Sequence, residues 1–173
     1  MISTGGKLLD LKTTCVVCPA FDPATTPAED HPPIPSFTGL WDTGAQGTFI
    51  TQAVVDKCGL QPFTLKRVKG AYGDATDRNV YLINLGLPNG VMIQNVEATW
   101  GEMGGIDVLI GMNIITLGDF AVTNQNNTTT FSFRIPSLHT IDYTKMASQQ
   151  NAMLNAKQGG GNVIPSSRMK GKR

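Results

Sequence analysis

The 173-residue sequence is short of cysteine and of long apolar runs, and each shortage excludes a class of protein. Its three cysteines are an odd number, which does not make a disulfide framework. No apolar run approaches the length that crosses a bilayer, and the first twenty residues lack the basic and apolar regions of a secretion signal. We therefore expect a cytoplasmic protein with reduced thiols and no membrane partner.

Metal ligands are scarce as well. Cys15 and Cys18 have the C-x-x-C spacing of some zinc and redox sites, but a structural zinc ion needs four ligands. The remaining cysteine and histidines are Cys58, His31 and His139. None of them forms a second pair with a suitable spacing, and no helix start follows Cys18 to lower a thiol pKa. We expect an apolar thiol pair on a strand, with neither a metal nor a cofactor.

Acidic residues are missing from the end of the chain. Residues 143–173 hold six basic and no acidic residues, whereas residues 1–142 hold eight basic and 13 acidic ones. A basic tail of this kind can contact nucleic acid or an acidic protein, but it is more often a solubilising, disordered end. Because the basic excess is confined to the tail, nucleic acid is not expected as a partner.

Short apolar stretches separated by turn residues make up most of the chain, which has 19 glycines and 10 prolines. Their patterns predict strands, and a short helix is predicted where Thr51 could cap the start and Gly59 end the last turn. The predicted strands are 7–18, 64–71, 79–85, 91–100, 106–110, 120–123 and 129–135, and the short helices are 51–59 and 113–117. The sequence therefore predicts an all-β, barrel-like lobe with one or two short helices.

Three regions follow from these patterns. Residues 1–136 form the predicted lobe, interrupted at 19–35 by a surface loop with six prolines. Residues 137–158 are predicted as a C-terminal helix, whose thin apolar stripe is expected to pack on its own lobe or on a partner subunit. Residues 159–173 form a glycine-rich linker and the basic tail.

The sequence around Asp42 indicates a functional site. Leu40 and Trp41 lead directly into this carboxylate, which is costly to place at the end of an apolar strand unless hydrogen bonds hold it. Thr43 offers a hydroxyl for a supporting bond, Gly44 allows the backbone to approach the carboxylate, and Ala45 leaves space beside it.

Asp42, Thr43, Gly44 and Ala45 resemble the D-T-G-A signature of retroviral-type (retropepsin-like) aspartic proteases. Residues 107–115 resemble a second element of that family. Its pattern is two apolar residues, Gly, any residue, Asn or Asp, and two more apolar residues, and Ile110 and Gly111 lie near its start. The two elements occur in the family's order, and the resemblance covers about residues 5–136.

The resemblance implies a single retropepsin-like acid-protease lobe, a closed β-barrel-like fold of the bacterial or phage-like kind, and an aspartic endopeptidase. Asp42 is then the catalytic residue, supported by Thr43, Gly44 and Ala45, with Ile110 and Gly111 beside the site and a peptide or protein as substrate. The implied flap, a hairpin turn that closes over substrate, contains Gly70, Ala71, Tyr72 and Gly73. Since no second D-[TS]-G occurs, the second catalytic carboxylate implies a homodimer.

Two positions depart from the retroviral pattern. Gln46 stands where a second aspartate is usual, and Met112 where its arginine partner is usual. Both members of the pair are absent together, so no buried charge is left unpaired. Besides the protease, two other hypotheses stay open here, a catalytically silent module that binds peptide or dimerises, and an adaptor that acts through the basic tail.

Overall fold

The computed structural model describes residues 2–69, 75–88 and 90–159. Within these residues the chain forms ten β-strands and three α-helices. The strands are β1 (Ile2–Gly5), β2 (Lys12–Pro19), β3 (Ser36–Trp41), β4 (Thr48–Ile50), β5 (Thr64–Lys69), β6 (Ala75–Leu87), β7 (Val91–Trp100), β8 (Val108–Ile110), β9 (Asp119–Gln125) and β10 (Thr128–Arg134), and the helices are α1 (Gln52–Cys58), α2 (Met112–Ile115) and α3 (Tyr143–Gly159). The chain separates into two units, Met1–Leu138 and His139–Arg173.

A closed barrel forms the centre of the first unit. Its sheet has the order β2-β3-β8-β4-β7-β6-β5, and a further pairing of β2 with β6 joins the first six strands into a ring. Most neighbours are antiparallel, but β3 runs parallel to β8, and β4 runs parallel to β7. The predicted all-β, barrel-like lobe with few helices is therefore confirmed.

A second, three-stranded sheet of order β1-β10-β9 carries aromatic side chains that pack on β3. The Trp41 ring lies 5.2 Å from that of Phe131, 4.7 Å from that of Phe133 and 5.9 Å from that of Phe120, between centroids. Trp41 also donates its indole N–H to the Thr13 hydroxyl at 3.0 Å. Burial of large aromatic rings is a major source of core stability, so this cluster anchors the end of β3.

The proline-rich segment between β2 and β3 is a mostly exposed loop with a 3-10 turn at Ala28–Asp30, as its composition predicts. The buried Asn84 of β6 donates its amide to the Phe21 carbonyl at 2.7 Å. The rings of Phe21 and His31 lie 4.8 Å apart. The loop is thus tied to the barrel at its start.

Helix α1 buries Val54 and Val55, and it ends at Gly59, whose φ of 61° is the left-handed conformation expected of a terminal glycine. The prediction that Thr51 caps this helix with its side chain is wrong. Thr51 occupies the N-cap position, but its hydroxyl has no hydrogen-bond partner among the described residues. The Thr51 N–H instead donates to the Asp107 carbonyl at 3.0 Å, so a neighbouring segment fixes the backbone here.

The second unit contains helix α3. The helix begins at Tyr143, within the region 137–158 in which a helix is predicted. Asp142 accepts a capping hydrogen bond from the Lys145 N–H at 3.0 Å. The apolar side chains of Tyr143, Met146 and Met153 are exposed, and their packing stays a prediction. Among the described residues, no helix is both long enough and apolar enough to span a bilayer. The predicted tail lies outside the described residues except for its first residue, 159.

Candidate active site

Asp42 follows directly after β3, in the middle of the barrel sheet. The parallel register pairs Leu40 with Leu109 and Trp41 with Ile110, and the Asp42 N–H continues this ladder by donating to the Ile110 carbonyl at 3.0 Å. The Asp42 side chain is half-buried. The strand pair thus holds the backbone of Asp42 while its carboxylate keeps access to solvent.

A tight turn holds the carboxylate itself. Asp42 Oδ1 accepts the Gly44 N–H at 2.7 Å, and the Ala45 N–H donates to the Asp42 carbonyl at 3.3 Å. A Cβ at Gly44 would lie 3.1 Å from Oδ1, tighter than most contacts of this kind. Thr43 is exposed, and its expected supporting hydrogen bond is not made within the described residues. The turn therefore fixes one carboxylate oxygen and leaves Oδ2 without a hydrogen-bond partner in the described part of the chain.

The second motif packs against this turn through backbone contacts. The Met112 N–H donates to the Ala45 carbonyl at 2.8 Å, and the Asn113 N–H donates to the Gln46 carbonyl at 3.1 Å. A Cβ at Gly111 would lie 2.2 Å from the Gly47 carbonyl oxygen, so only glycine permits this approach. The second motif therefore supports the turn that carries Asp42.

The same contacts explain how the chain manages without the charged pair of the retroviral pattern. Gln46 and Met112 stand at those two positions, and both backbones take part in the hydrogen bonds that join the motifs. The buried Thr48 adds a side-chain bond, donating its hydroxyl to Asn113 Oδ1 at 3.0 Å. Neutral hydrogen bonds thus connect the segments without the desolvation cost of a buried ion pair.

An open cavity of about 360 Å³ adjoins Asp42 and Thr43. Leu9, Phe120 and Val122 contribute apolar walls, and a second carboxylate, Asp10, also lines it. Asp10 is not among the site residues predicted from the sequence. Its only sequence signal is an acidic residue inside an otherwise apolar Leu-Leu-x-Leu stretch, and its position beside Asp42 depends on the register of β2 against β3.

The three thiols lie away from this cavity lining. Cys15 and Cys18 are buried on β2, and Cys58 is half-buried at the end of α1. Burial raises the pKa of the Cys15 thiol to about 12 and, with a smaller contribution from Cys18, that of Cys58 to about 11. These thiols are therefore neutral and weakly reactive at physiological pH. Among the described residues, no group of three His, Cys, Asp or Glu side chains could hold a metal ion.

Residues 35–116 match the family model described as gag-polyprotein putative aspartyl protease, and this span includes both motifs and the elements from β3 to α2. Over these residues the chain is similar to the gag-polyprotein putative aspartyl proteases. Among solved structures, it is similar to a retropepsin-like aspartic protease from Rickettsia conorii, with 11% identity over 76% of this chain and 91% of that chain and a TM-score of 0.43. No curated protein matches the sequence at a significant level.

The structure brings together Asp42, Gly44, Ala45, Ile110 and Gly111, whose catalytic roles stay predictions. The expected flap residues, Gly70, Ala71, Tyr72 and Gly73, lie outside the described residues. The strands on either side of them, β5 and β6, are antiparallel and pair up to the last described positions, Lys69 and Ala75.

Proposed function

We propose that this retropepsin-like chain is an aspartic endopeptidase that works as a homodimer, with one Asp42 from each subunit. The observation that carries the proposal is the held carboxylate of Asp42, with Oδ1 fixed by the Gly44 N–H and the side chain open to a cavity.

The chemistry needs two carboxyl groups that share one proton. One of them, ionised, takes a proton from a water molecule, and the other, protonated, donates to the carbonyl oxygen of the peptide bond. The Gly44 hydrogen bond orients Asp42 so that Oδ2 faces the reacting water. Rigid placement of this kind removes part of the entropic cost of reaching the transition state.

Asp10 lines the same cavity, but its environment differs from that of Asp42. Its side chain is 63% exposed and pairs with the Lys12 ammonium at 3.3 Å, and no backbone N–H donates to it among the described residues. A carboxylate that is exposed, paired with an ammonium group and not held by the backbone is poorly suited to be the second catalytic acid. The second Asp42 of a symmetric dimer supplies an equivalent, equally oriented group.

Peptide-library cleavage by the wild-type protein and by Asp42→Asn tests this function. Asparagine keeps the shape of aspartate and removes its charge and its basic oxygen, so we expect cleavage to fall by about 10²–10⁴-fold. Asp30→Asn, which removes the same charge from an exposed turn, controls for the change in net charge. Equal cleavage by wild type and Asp42→Asn would exclude Asp42 as the catalytic group. Absence of cleavage by the wild type, with peptide binding retained, would favour the silent peptide-binding module.

A further inference from the structure

The cavity beside Asp42 carries a second charge that the peptidase chemistry does not use. The antiparallel register of β2 and β3 pairs Lys12 with Leu40, and the Trp41 N–H extends it by donating to the Leu11 carbonyl at 2.9 Å. Asp10 lies two residues before β2 and Asp42 directly follows β3, so both lie at the same end of this antiparallel pair. Both carboxylates line one cavity there.

The negative charge of Asp10 is not balanced by any other described residue of the cavity lining. Of the described residues that line the cavity, none is basic, and most are apolar, including the highly exposed Leu9 and the partly exposed Val122. The two charged groups of this lining are thus both negative. A cleft lined by one sign of charge attracts ligands of the opposite sign and disfavours those of the same sign.

Asp10 already contacts an ammonium group. Lys12 Nζ lies 3.3 Å from Asp10 Oδ2, with 45% of the Lys12 side chain and 63% of the Asp10 side chain exposed. Exposed pairs of this kind are weak and exchange readily, so the ammonium of a bound ligand can replace that of Lys12.

We infer that Asp10 is a specificity-determining residue that makes this cavity select peptides with a basic side chain close to the bond held at Asp42. The inference rests on the proposed function only in taking the cavity as the peptide-binding cleft. Asp10 acts on binding, through charge, whereas Asp42 acts on the peptide bond. Peptides with an acidic side chain at the same position are disfavoured by both carboxylates.

The test measures binding to the Asp42→Asn protein, so it does not require turnover. The probes are blocked octapeptides with neutral side chains that carry lysine or norleucine in turn at each of the four central positions. Norleucine has the same straight chain without the ammonium group. At one position or more, we expect the lysine peptide to bind about threefold to fivefold more tightly than its norleucine counterpart. This ratio should decline between about 0.05 M and about 0.5 M salt, because salt screens a partly exposed charge pair.

The second variant isolates Asp10. In Asp10→Asn/Asp42→Asn the ratio should fall to about one, whereas Asp30→Asn/Asp42→Asn should keep the full ratio because Asp30 does not line the cavity. A ratio of one in Asp42→Asn, an unchanged ratio after Asp10→Asn, or no binding of any peptide would overturn the inference. Wild-type cleavage of the norleucine peptides, assayed in parallel, separates this failure from a failure of the peptidase function itself.

Discussion

The two glycines nearest Asp42 differ in what their missing side chains allow. At Gly44 a Cβ would lie 3.1 Å from Asp42 Oδ1, a contact that a small shift of the carboxylate could relieve. At Gly111 a Cβ would lie 2.2 Å from the Gly47 carbonyl oxygen and 2.9 Å from that of Ala45, which are backbone atoms of the turn that carries Asp42. Gly111 is therefore a structural requirement of this turn, whereas Gly44 contacts the Asp42 carboxylate itself.

Gly111→Ala tests this distinction. The methyl group must push apart two backbone segments, so we expect a loss of about 3 kcal/mol in the free energy of unfolding, at the upper end of overpacking effects. Urea denaturation measures this loss of stability. Gly104→Ala is the matched control, since a Cβ at Gly104 meets no atom within 4 Å. Equal stability of the two variants would contradict the close packing of the motifs.

Asp42 and its turn can be predicted from the sequence because both depend on consecutive residues. A carboxylate that follows apolar residues, with glycine two positions later, can be recognised in the sequence as a candidate site. Asp10 carries almost no such signal, because its approach to Asp42 depends on a strand register set by residues far apart in the chain. At Thr51 the sequence predicts a side-chain cap that the structure does not contain. A tertiary contact fixes the backbone there, and the hydroxyl makes no hydrogen bond within the described residues.

At the scale of elements, Asp119 ties together the end of the β9–β10 hairpin. Its carboxylate accepts hydrogen bonds from the Ser137 hydroxyl, from the Leu138 N–H at 3.0 Å and from Arg134 Nε at 2.7 Å. Arg134 adds an ion pair at 2.6 Å. These hydrogen bonds, first that of Ser137, hold the pKa of the Asp119 carboxyl far below its usual range. The hairpin also carries Phe131 and Phe133, which pack on Trp41 next to the site.

The lowered pKa makes this contribution depend on pH. The folded protein binds a proton at Asp119 less readily than the unfolded chain, so the stabilisation is present above the unfolded-state pKa of about 4 and is lost as the pH falls below it. We therefore expect Asp119→Asn to be less stable than wild type at neutral pH, with a difference that narrows below about pH 4. Urea midpoints at several pH values measure this, and Asp30→Asn controls for net charge. A difference that stays constant down to the lowest pH would contradict the assignment.

At the scale of the whole molecule, many of the strands could be predicted, but their order in the sheets could not. β7 coincides with the predicted 91–100, since alternation along one segment is enough to define it. The short strands β1 and β4 are not predicted, because three or four residues are too few to show an alternating pattern. The ring of strands depends on the β2–β6 pairing, which joins segments more than 60 residues apart, such as Val17 and Leu85. No local pattern specifies such a pairing, so the strand patterns predict a barrel-like lobe without the order of its strands.

The central claim is that one catalytic site needs one Asp42 from each of two chains, and subunit mixing tests it most directly. Wild-type protein is allowed to exchange subunits with a tenfold excess of Asp42→Asn, and peptide cleavage is measured per wild-type chain. If both carboxylates are required, mixed dimers are inactive and the activity per wild-type chain falls to about one tenth. The same excess of Asp30→Asn should instead give activity in proportion to total protein. Unchanged activity per wild-type chain in the presence of exchanged Asp42→Asn subunits would contradict the claim, because each chain would then carry a complete site.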